Sequence, residues 1–395
     1  MLSLNPRVCK ELAYLKAIGY QVDALVSDGC SLLTSENDAR QQKVFGLKSV
    51  PGKILRKIGC QIHLLCGWET SWQLGPMVDA LLKEGRKKRA DLYIAHSEAG
   101  MWAAEQLLKE GRRVGVDMED WFSEDLLPEA RRTRPIRLLK QLEKNLLCHG
   151  VHSTCTSEAM ADALVKAYGC RRPTVIRNVF PREDREALDG KWKDRPGMAK
   201  WIPRNDPRAA RPKEAPVSIH WFSQTIGPGR GLETLFQALD GQEGNWELHL
   251  RGNLKGYEQW LERACPVGVR KKLKVHGLVE NEELLSRIAE HDIGYAGELR
   301  DPISRNLTIT NKFFQYLQAG LAVLASDTAG QVEAASEAKG AVWVFRGGER
   351  MSLSEKLRGL LWNRGTLQNT RQIAWQAGAR FTWENEAQRM QAALP

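Results

Sequence analysis

Twice along this chain, short apolar runs alternate with stretches of helical periodicity, and that alternation leaves few folds open. In the first half Met1–Leu4, Val22–Ser27, Gln61–Cys66, Ala90–His96, Arg113–Asp117, His152–Ser157 and Pro173–Asn178 read as strands. Helical patterns occupy Pro6–Ile18, Ser71–Lys83, Glu98–Lys109, Pro135–Cys148 and Glu158–Tyr168. A second run gives strands at Ser218–Ser223, Trp246–Leu250, Leu273–His276, Ile293–Ala296, Leu321–Ala325 and Ala341–Phe345, and helices close the chain at Leu353–Asn363, Thr366–Ala379 and Trp383–Leu394. Strands joined through helices pair in parallel and are covered on both faces. The expected fold class is α/β, with two Rossmann-like doubly wound domains facing each other across a cleft.

The first domain is expected over residues 1–178 and the second over 217–379. Between them, 179–216 reads as an interdomain connection: Pro, Arg, Lys and Asp replace the periodic pattern, and Trp192 and Trp201 stand isolated. Those tryptophans pack on a domain or touch a membrane, packing being the simpler reading. Gly29–Ser49 is polar and patternless, and Pro51–Gly59 is a short basic amphipathic segment.

A chain of 395 residues has room for two cores, and 42% hydrophobic with 27% charged residues is the balance of a soluble globular protein. No apolar run approaches the roughly 20 residues of a membrane helix, and the N-terminus lacks the plan of a secretory signal, so a cytoplasmic location is expected. The eight cysteines form no C-x-x-C pair. They read as reduced, mostly buried thiols, with neither a disulfide framework nor a zinc site. The net charge of +10 asks for an acidic partner: nucleic acid, anionic lipid or a diphosphate. Dispersed basic residues and the lack of a binding module speak against nucleic acid.

Candidate residues cluster where strands end. Asn311–Glu333 reads as a helix capped by Asn311 and stopped by Gly320, then a buried strand, then the loop Ser326–Gly330 and a second helix. Ligands of open α/β sheets bind at such strand ends. In F-S-Q-T-I-G-P-G-R-G-L-E, Phe222–Glu233, a strand ends at Ser223 and a glycine loop leads into a helix near Gly231. Gly229 and its neighbours let backbone approach a ligand, and Arg230 adds a cation at a helix N-terminus. A diphosphate fits there without a metal; a tight turn with a solvated arginine is the alternative. The spacing is not that of a P-loop. Gly252, His276 and Gly277 end two further strands on the same edge. Arg305, Asn306 and Thr308 precede the Asn311 helix as phosphate or sugar contacts or as solvated loop, and Lys312 sits at the helix start as a contact or a surface lysine. In the first half, V-D-M-E-D-W places Asp117, Glu119 and Asp120 after a strand, where one of them can orient an acceptor hydroxyl or take its proton, or simply cap a helix. His96 ends a neighbouring strand. No H-E-x-x-H or Ser-His-Asp logic is present, and no metal site is expected.

Together these motifs resemble the retaining GT-B glycosyltransferases of family four. N-K-F-F-Q-Y-L-Q-A-G-L-A-V-L-A-S-D resembles the family's N-K-x-x-E-Y-x-x-A-G-x-P-V-x-A-S-D; S-Q-T-I-G-P-G-R-G-L-E resembles its basic glycine loop; H-G-L-V-E-N-E-E-L-L, V-I-R-N-V-F and V-D-M-E-D-W resemble its base-side, interdomain and acceptor-side segments. R-F-T-W-E resembles the start of its final helix, which implies that residues 380–395 pack back on the first domain. The resemblance implies GT-B architecture, with a nucleotide-diphosphate sugar held by the second domain and the acceptor by the first. It implies metal-independent transfer with retention to a glycan, polysaccharide or lipid-linked hydroxyl, and no cofactor. Arg230 takes the diphosphate position, Gln224 stands near the family's second basic residue, Gln315 replaces the ribose carboxylate, and Glu119 stands where relatives carry histidine. Ser223, Gly229, Asn311 and Lys312 complete the donor set. The alternatives are a GT-B-like sugar-nucleotide epimerase or hydrolase, or a non-catalytic GT-B partner subunit. The basic segment Lys53–Lys57 with Trp68 and Trp72 is either a peripheral anionic-membrane contact or an ordinary surface helix.

Overall fold

The computed structural model describes residues 2–3, 5–27, 30–31, 45–47, 50–75, 78–196 and 215–395. The chain divides into two compact units. One comprises Met1–Arg177 with Pro302–Ser304 and Ala387–Pro395; the other comprises Asn178–Asp301 and Arg305–Glu386.

In the first unit two short parallel pairs form, β1 (Leu2–Ser3) with β3 (Cys30–Ser31) and β2 (Leu25–Ser27) with β4 (Phe45–Leu47). Among the described residues a four-stranded parallel sheet then runs in sequence order: β5 (Tyr93–Ala95), β6 (Val114–Met118), β7 (His152–Cys155) and β8 (Thr174–Val175). The crossovers are the helices Glu98–Lys109, Ile136–His149 and Glu158–Tyr168. Ser97 and Ser157 start two of them by accepting from Gly100 N and Met160 N. All five residues of β6 are buried, as a central parallel strand requires. At the chain's end, Gln391 accepts from Tyr14 Oη at 2.8 Å, and Ala393 O lies 3.1 Å from His152 Nδ1.

Two expectations fail here. Gln61–Cys66 is not a strand; it is the C-terminal end of one helix, Val50–Cys66. A six-residue apolar run has no period that separates strand from buried helix, and Gly59 does not interrupt the turn before it. The helix expected over Ser71–Lys83 is instead a single tight turn, Ser71–Leu74, followed by the helix Val78–Lys87, because Gly75-Pro76 cannot continue a helix. Most of Gly29–Ser49, and Trp201, lie outside the described residues.

Among the described residues the second unit holds a six-stranded parallel sheet in the order β11 (Leu273–His276), β10 (Trp246–Asn253), β9 (Val217–Thr225), β12 (Ile293–Ala296), β13 (Ala322–Ser326), β14 (Val342–Phe345). The order reverses between β9 and β12, the topological switch point of a doubly wound sheet. Alternate residues of β13 feed two cores. Ala322 and Leu324 join Leu232, Leu235, Phe236, Leu353 and Leu357, whereas Val323 and Ala325 join Phe313, Phe314, Leu317 and Ile288. Each large apolar side chain so buried contributes roughly 1.5–3 kcal/mol.

The Asn311–Gln318 helix ends as its sequence predicts. Gly320 has φ 71°, its N–H bonds to Leu317 O, and Leu321 N–H reaches back to Tyr316 O, a Schellman closure. Its start differs: Thr310 occupies the cap and Asn311 is the first helical residue, exposed and not capping.

Residues 179–196, read as connection, and Asn178, read as the end of the first domain, are built into the second unit. Arg195 is 3% exposed; it donates to Glu247 Oε1, Glu290 O and Pro216 O, while the Glu290 carboxylate accepts from the backbone N–H groups of Lys193, Asp194 and Arg195. A buried arginine needs such fixed acceptors, which anchors the segment. Trp192 packs on the second core.

Candidate functional site

The switch point of the second unit collects the charged residues of the sequence motifs. After β9 the chain turns through Gly227–Gly231, with Gly229 and Gly231 at φ 70° and 75°. Gly231 starts the helix Leu232–Leu239, and a Cβ on it would lie 2.4 Å from Gly297 O, so only glycine fits. The Gly229 N–H donates to Glu233 Oε1 at 3.3 Å. Arg230 is exposed. After β12 the chain carries Glu298, whose Oε1 accepts from Lys312 Nζ at 2.8 Å. Arg305 Nη1 donates to Gly229 O at 3.1 Å, and its Nε lies 4.0 Å from Glu298 Oε2. Burial pushes the Glu298 carboxyl up, but Lys312 and Arg305 outweigh it and hold the group below its usual range. The three side chains therefore form a net-positive knot against the glycine loop, held beside the N-terminus of an eight-residue helix.

The other donor-side candidates separate into those beside this knot and those away from it. Ser223 is half-buried and Gln224 exposed near the end of β9, and Thr308 is half-buried. Asn306 Oδ1 accepts from Ala329 N and so serves the start of the helix Ala329–Glu337. Gln315 is 7% exposed in its helix. Gly252 lies at a register shift between β10 and β9, where a Cβ would meet Ser223 O at 2.5 Å. His276 ends the sheet's outer strand, two strands from β9, and Gly277 follows it. His276 Nε2 lies 2.9 Å from His249 Nδ1, and Gly277 O accepts from Arg251 Nη1 at 2.6 Å. Burial, with His249 and Arg251 nearby, lowers the His276 pKa to about 4 despite Asp194.

In the first unit the acidic motif after β6 meets the N-terminal helix Pro6–Ala17. Asp117, 1% exposed, accepts from Arg7 Nε at 2.7 Å, Arg7 Nη2 at 2.9 Å and Thr154 Oγ1 at 2.6 Å. Its Oδ2 also lies 3.2 Å from His96 Nδ1. Glu119 accepts from Asn5 Nδ2 and has Oε1 3.9 Å from the same His96 nitrogen. Asp120 is half-buried. Glu11 lies 3.3 Å from Arg7 Nε and 3.5 Å from His96 Nε2. Burial alone would discharge His96, but Asp117, Glu119 and Glu11 outweigh it and push its pKa up to about 10. Burial and Asp117 push Glu11 up to about 7, against Arg7. Burial likewise opposes charge on Asp117, yet Arg7 and His96 hold it far below the carboxylate range. Glu11, His96 and Asp117 each bring a ligand atom within 4.8 Å of the others, but Arg7 already supplies the positive charge a cation would bring. Asp117 is thus a buried, ion-paired carboxylate, and His96, Glu119 and Glu11 keep some exposure, with side chains 20%, 13% and 10% accessible.

The sequence reading did not single out Glu298, Arg7 or Glu11. Arg7 and Glu11 stand four apart on one face of a predicted helix, a legible i,i+4 pair, but nothing local ties them to Asp117. Glu298 follows the end of a predicted strand in A-G-E-L-R, a position whose value depends on where Lys312 folds.

No protein-family model matches the chain, and no curated protein does. Solved structures match it along nearly its whole length. Sucrose-phosphate synthase from Thermosynechococcus elongatus aligns at TM-score 0.68 with 14% identity, over 98% of this chain and 90% of that one. The Anabaena protein HepE in complex with UDP-glucose aligns at 0.66 with 17% identity, over 99% and 97%. WaaG, a glycosyltransferase involved in lipopolysaccharide biosynthesis, aligns at 0.60 with 13% identity, over 99% and 97%. The chain has the GT-B fold of these glycosyltransferases.

Proposed function

We propose that this chain is a glycosyltransferase that moves a sugar from a nucleotide-diphosphate sugar to a hydroxyl acceptor, with retention and without a metal ion. The observation that carries the reading is the Lys312–Glu298–Arg305 knot against the Gly229–Gly231 loop at the sheet's switch point. Doubly wound sheets bind ligands there, and a neighbour of this fold carries UDP-glucose. The exposed Arg230 and the helix N–H groups after Gly231 take the diphosphate, with Arg305 and Lys312 supporting it. Ser223, Gln224, Gly229, Asn306, Thr308, Asn311 and Gln315 line the nucleotide and sugar, with Gly252, His276 and Gly277 toward the base. In the reaction the bond from the anomeric carbon to the diphosphate oxygen breaks, and a bond to the acceptor oxygen forms on the same face. The cations stabilise charge on the leaving diphosphate through an oxocarbenium-like transition state. Glu119 orients the acceptor hydroxyl or takes its proton, with Asp117, His96 and Asp120 fixing its surroundings. The acceptor is a glycan, polysaccharide or lipid-linked hydroxyl. The thiols Cys60, Cys66, Cys148, Cys155, Cys170 and Cys265 fit a reducing, cytoplasmic setting.

A thermal-shift panel of nucleoside diphosphates and their sugars on the full chain tests the pocket and names the base. Arg230→Ala, at an exposed position, is expected to leave the fold intact and lower turnover by about a hundredfold or more; unchanged turnover removes Arg230 from the mechanism. A non-catalytic partner role is the second reading, motivated by Gln224, Leu307 and Gln315 at positions where the resembled family carries charge. A folded chain that binds no nucleotide sugar in calorimetry would establish it over transfer. Consumption of the sugar nucleotide with no acceptor would point to an epimerase or hydrolase.

A further inference from the structure

The helix Ile136–His149 buries Leu139, Leu142, Leu146 and Leu147 along one face, and Glu143 stands in the middle of that face, 0% exposed. Its carboxylate takes four donors. Oε1 accepts from Ser123 N at 2.8 Å, and Oε2 accepts from Ser123 Oγ at 2.6 Å, Tyr168 Oη at 2.6 Å and Trp121 Nε1 at 3.2 Å. Among the described residues no cation pairs with it. Burial pushes the carboxyl up, and the bonds from Ser123, Tyr168 and Trp121 draw it back only in part. A carboxylate buried without a cation is a poor source of stability, and an apolar residue would fill this helix position at lower cost. Its contribution is therefore directional. Three of the four donors belong to the loop that follows β6 and carries Glu119 and Asp120. The start of that loop is tied as well: Thr156 Oγ1 donates to Glu119 O at 3.2 Å, and the Trp121 N–H donates to Ser304 Oγ at 2.9 Å within the same unit. The Glu119 side chain is less constrained. Its Oε1 has no hydrogen-bond partner and lies 3.9 Å from His96 Nδ1.

We propose that Glu143 is a positioning residue for the acceptor-side carboxylate: by fixing Trp121 and Ser123 it sets the backbone of the loop and holds Glu119 Oε1 open beside His96. This deepens the proposed function, and its consequence for transfer rests on the acceptor-side reading of Glu119. A carboxylate is the side chain that this geometry needs. The Ser123 backbone N–H and the Trp121 indole N–H can only donate, and they approach different oxygens. Glu143→Gln offers one acceptor oxygen, so one of those two groups is left facing an NH2 group. The Ser123 and Tyr168 hydroxyls can turn to accept instead, so the defect falls on the loop.

The test is the titration of His96 in the full chain, followed by the ring carbon resonance that His96→Gln removes. Glu119 helps to hold His96 charged up to about 10, so a loop that lets Glu119 move away lowers that midpoint. Glu143→Gln is expected to lower it by roughly one pH unit. Trp121→Phe, which keeps a packed ring and removes the indole donor, should lower it less. Glu105→Gln is the control: Glu105 is another buried carboxylate of the first unit, bonded to Asn145 and Lys109 rather than to the loop, and its loss should leave His96 where it is. A wild-type midpoint in Glu143→Gln overturns the proposal, and so does an equal fall in Glu105→Gln. Should Glu143→Gln fail to fold by circular dichroism, Trp121→Phe decides, and an unmoved midpoint there overturns the proposal. The titration needs neither donor nor acceptor. An unmoved His96 therefore defeats the positioning role alone, whereas full transfer activity in Glu119→Gln defeats the acceptor-side reading alone.

Discussion

His96 and His276 occupy the same kind of place, one just past β5 and the other at the end of β11, and their surroundings drive them in opposite directions. His96 stands among Glu11, Asp117 and Glu119 and is pushed up to about 10. His276 stands against His249 and Arg251, with Asp194 its nearest acid, and falls to about 4. At neutral pH the first is an imidazolium inside a carboxylate nest and the second a neutral ring at the end of a histidine row that continues through His249 to His291, whose ring centroids are 4.5 Å apart. A histidine at a strand end thus carries no fixed electrostatic meaning. Burial penalises the charge in both places, and only the sign of the surrounding groups decides whether that penalty is outweighed.

The largest effect that would sharpen this contrast comes from removing the cation that makes the first nest possible. Arg7→Met leaves Asp117 buried opposite His96 alone, and the first unit should lose about 3–5 kcal/mol in chemical denaturation. A wild-type midpoint would mean that the nest does not depend on Arg7. The pH dependence of the first unit follows next. Because the folded pKa of His96 lies above its unfolded value near 6.5, its contribution to stability is complete below that pH and is lost as pH rises through about 10. Amide hydrogen exchange in β6 should speed up over that window in the wild-type chain, beyond the chemical effect of pH, and less so in His96→Gln. The smallest shift belongs to His276, with the opposite sign. Its folded pKa is depressed, so its contribution is complete above about 6.5 and is lost as pH falls through about 4. His276→Gln should flatten the acid limb of the second unit's stability, and a carbon resonance assigned to His276, by its loss in that variant, that titrates near neutrality in the wild type would break the comparison.

The same contrast shows where sequence reading reached its limit. Both histidines could be placed at strand ends from the pattern alone, and so could Asp117, Glu119 and Arg230, while Lys312 could be placed at a helix start. What could not be read was which charges surround them. Arg7 meets Asp117 across 110 residues and Lys312 meets Glu298 across 14, through turns whose geometry no local motif encodes. The Gln61–Cys66 run shows the limit at a lower level, since a short apolar segment takes its conformation from the helix it continues.

By itself the sequence determined the alternation of strands and helices, and hence two parallel sheets, because periodicity and helix stops such as Gly320 act through nearest neighbours along the chain. It also determined that candidate groups gather at the strand ends. The tertiary structure alone decided which of them are paired, buried or free. Asp117 became a fixed support, Lys312 a cation held by Glu298, and Arg230 an exposed charge beside a helix N-terminus. The physical reason is that desolvation and ion pairing depend on distance in space, which the chain sets only after its sheets have closed.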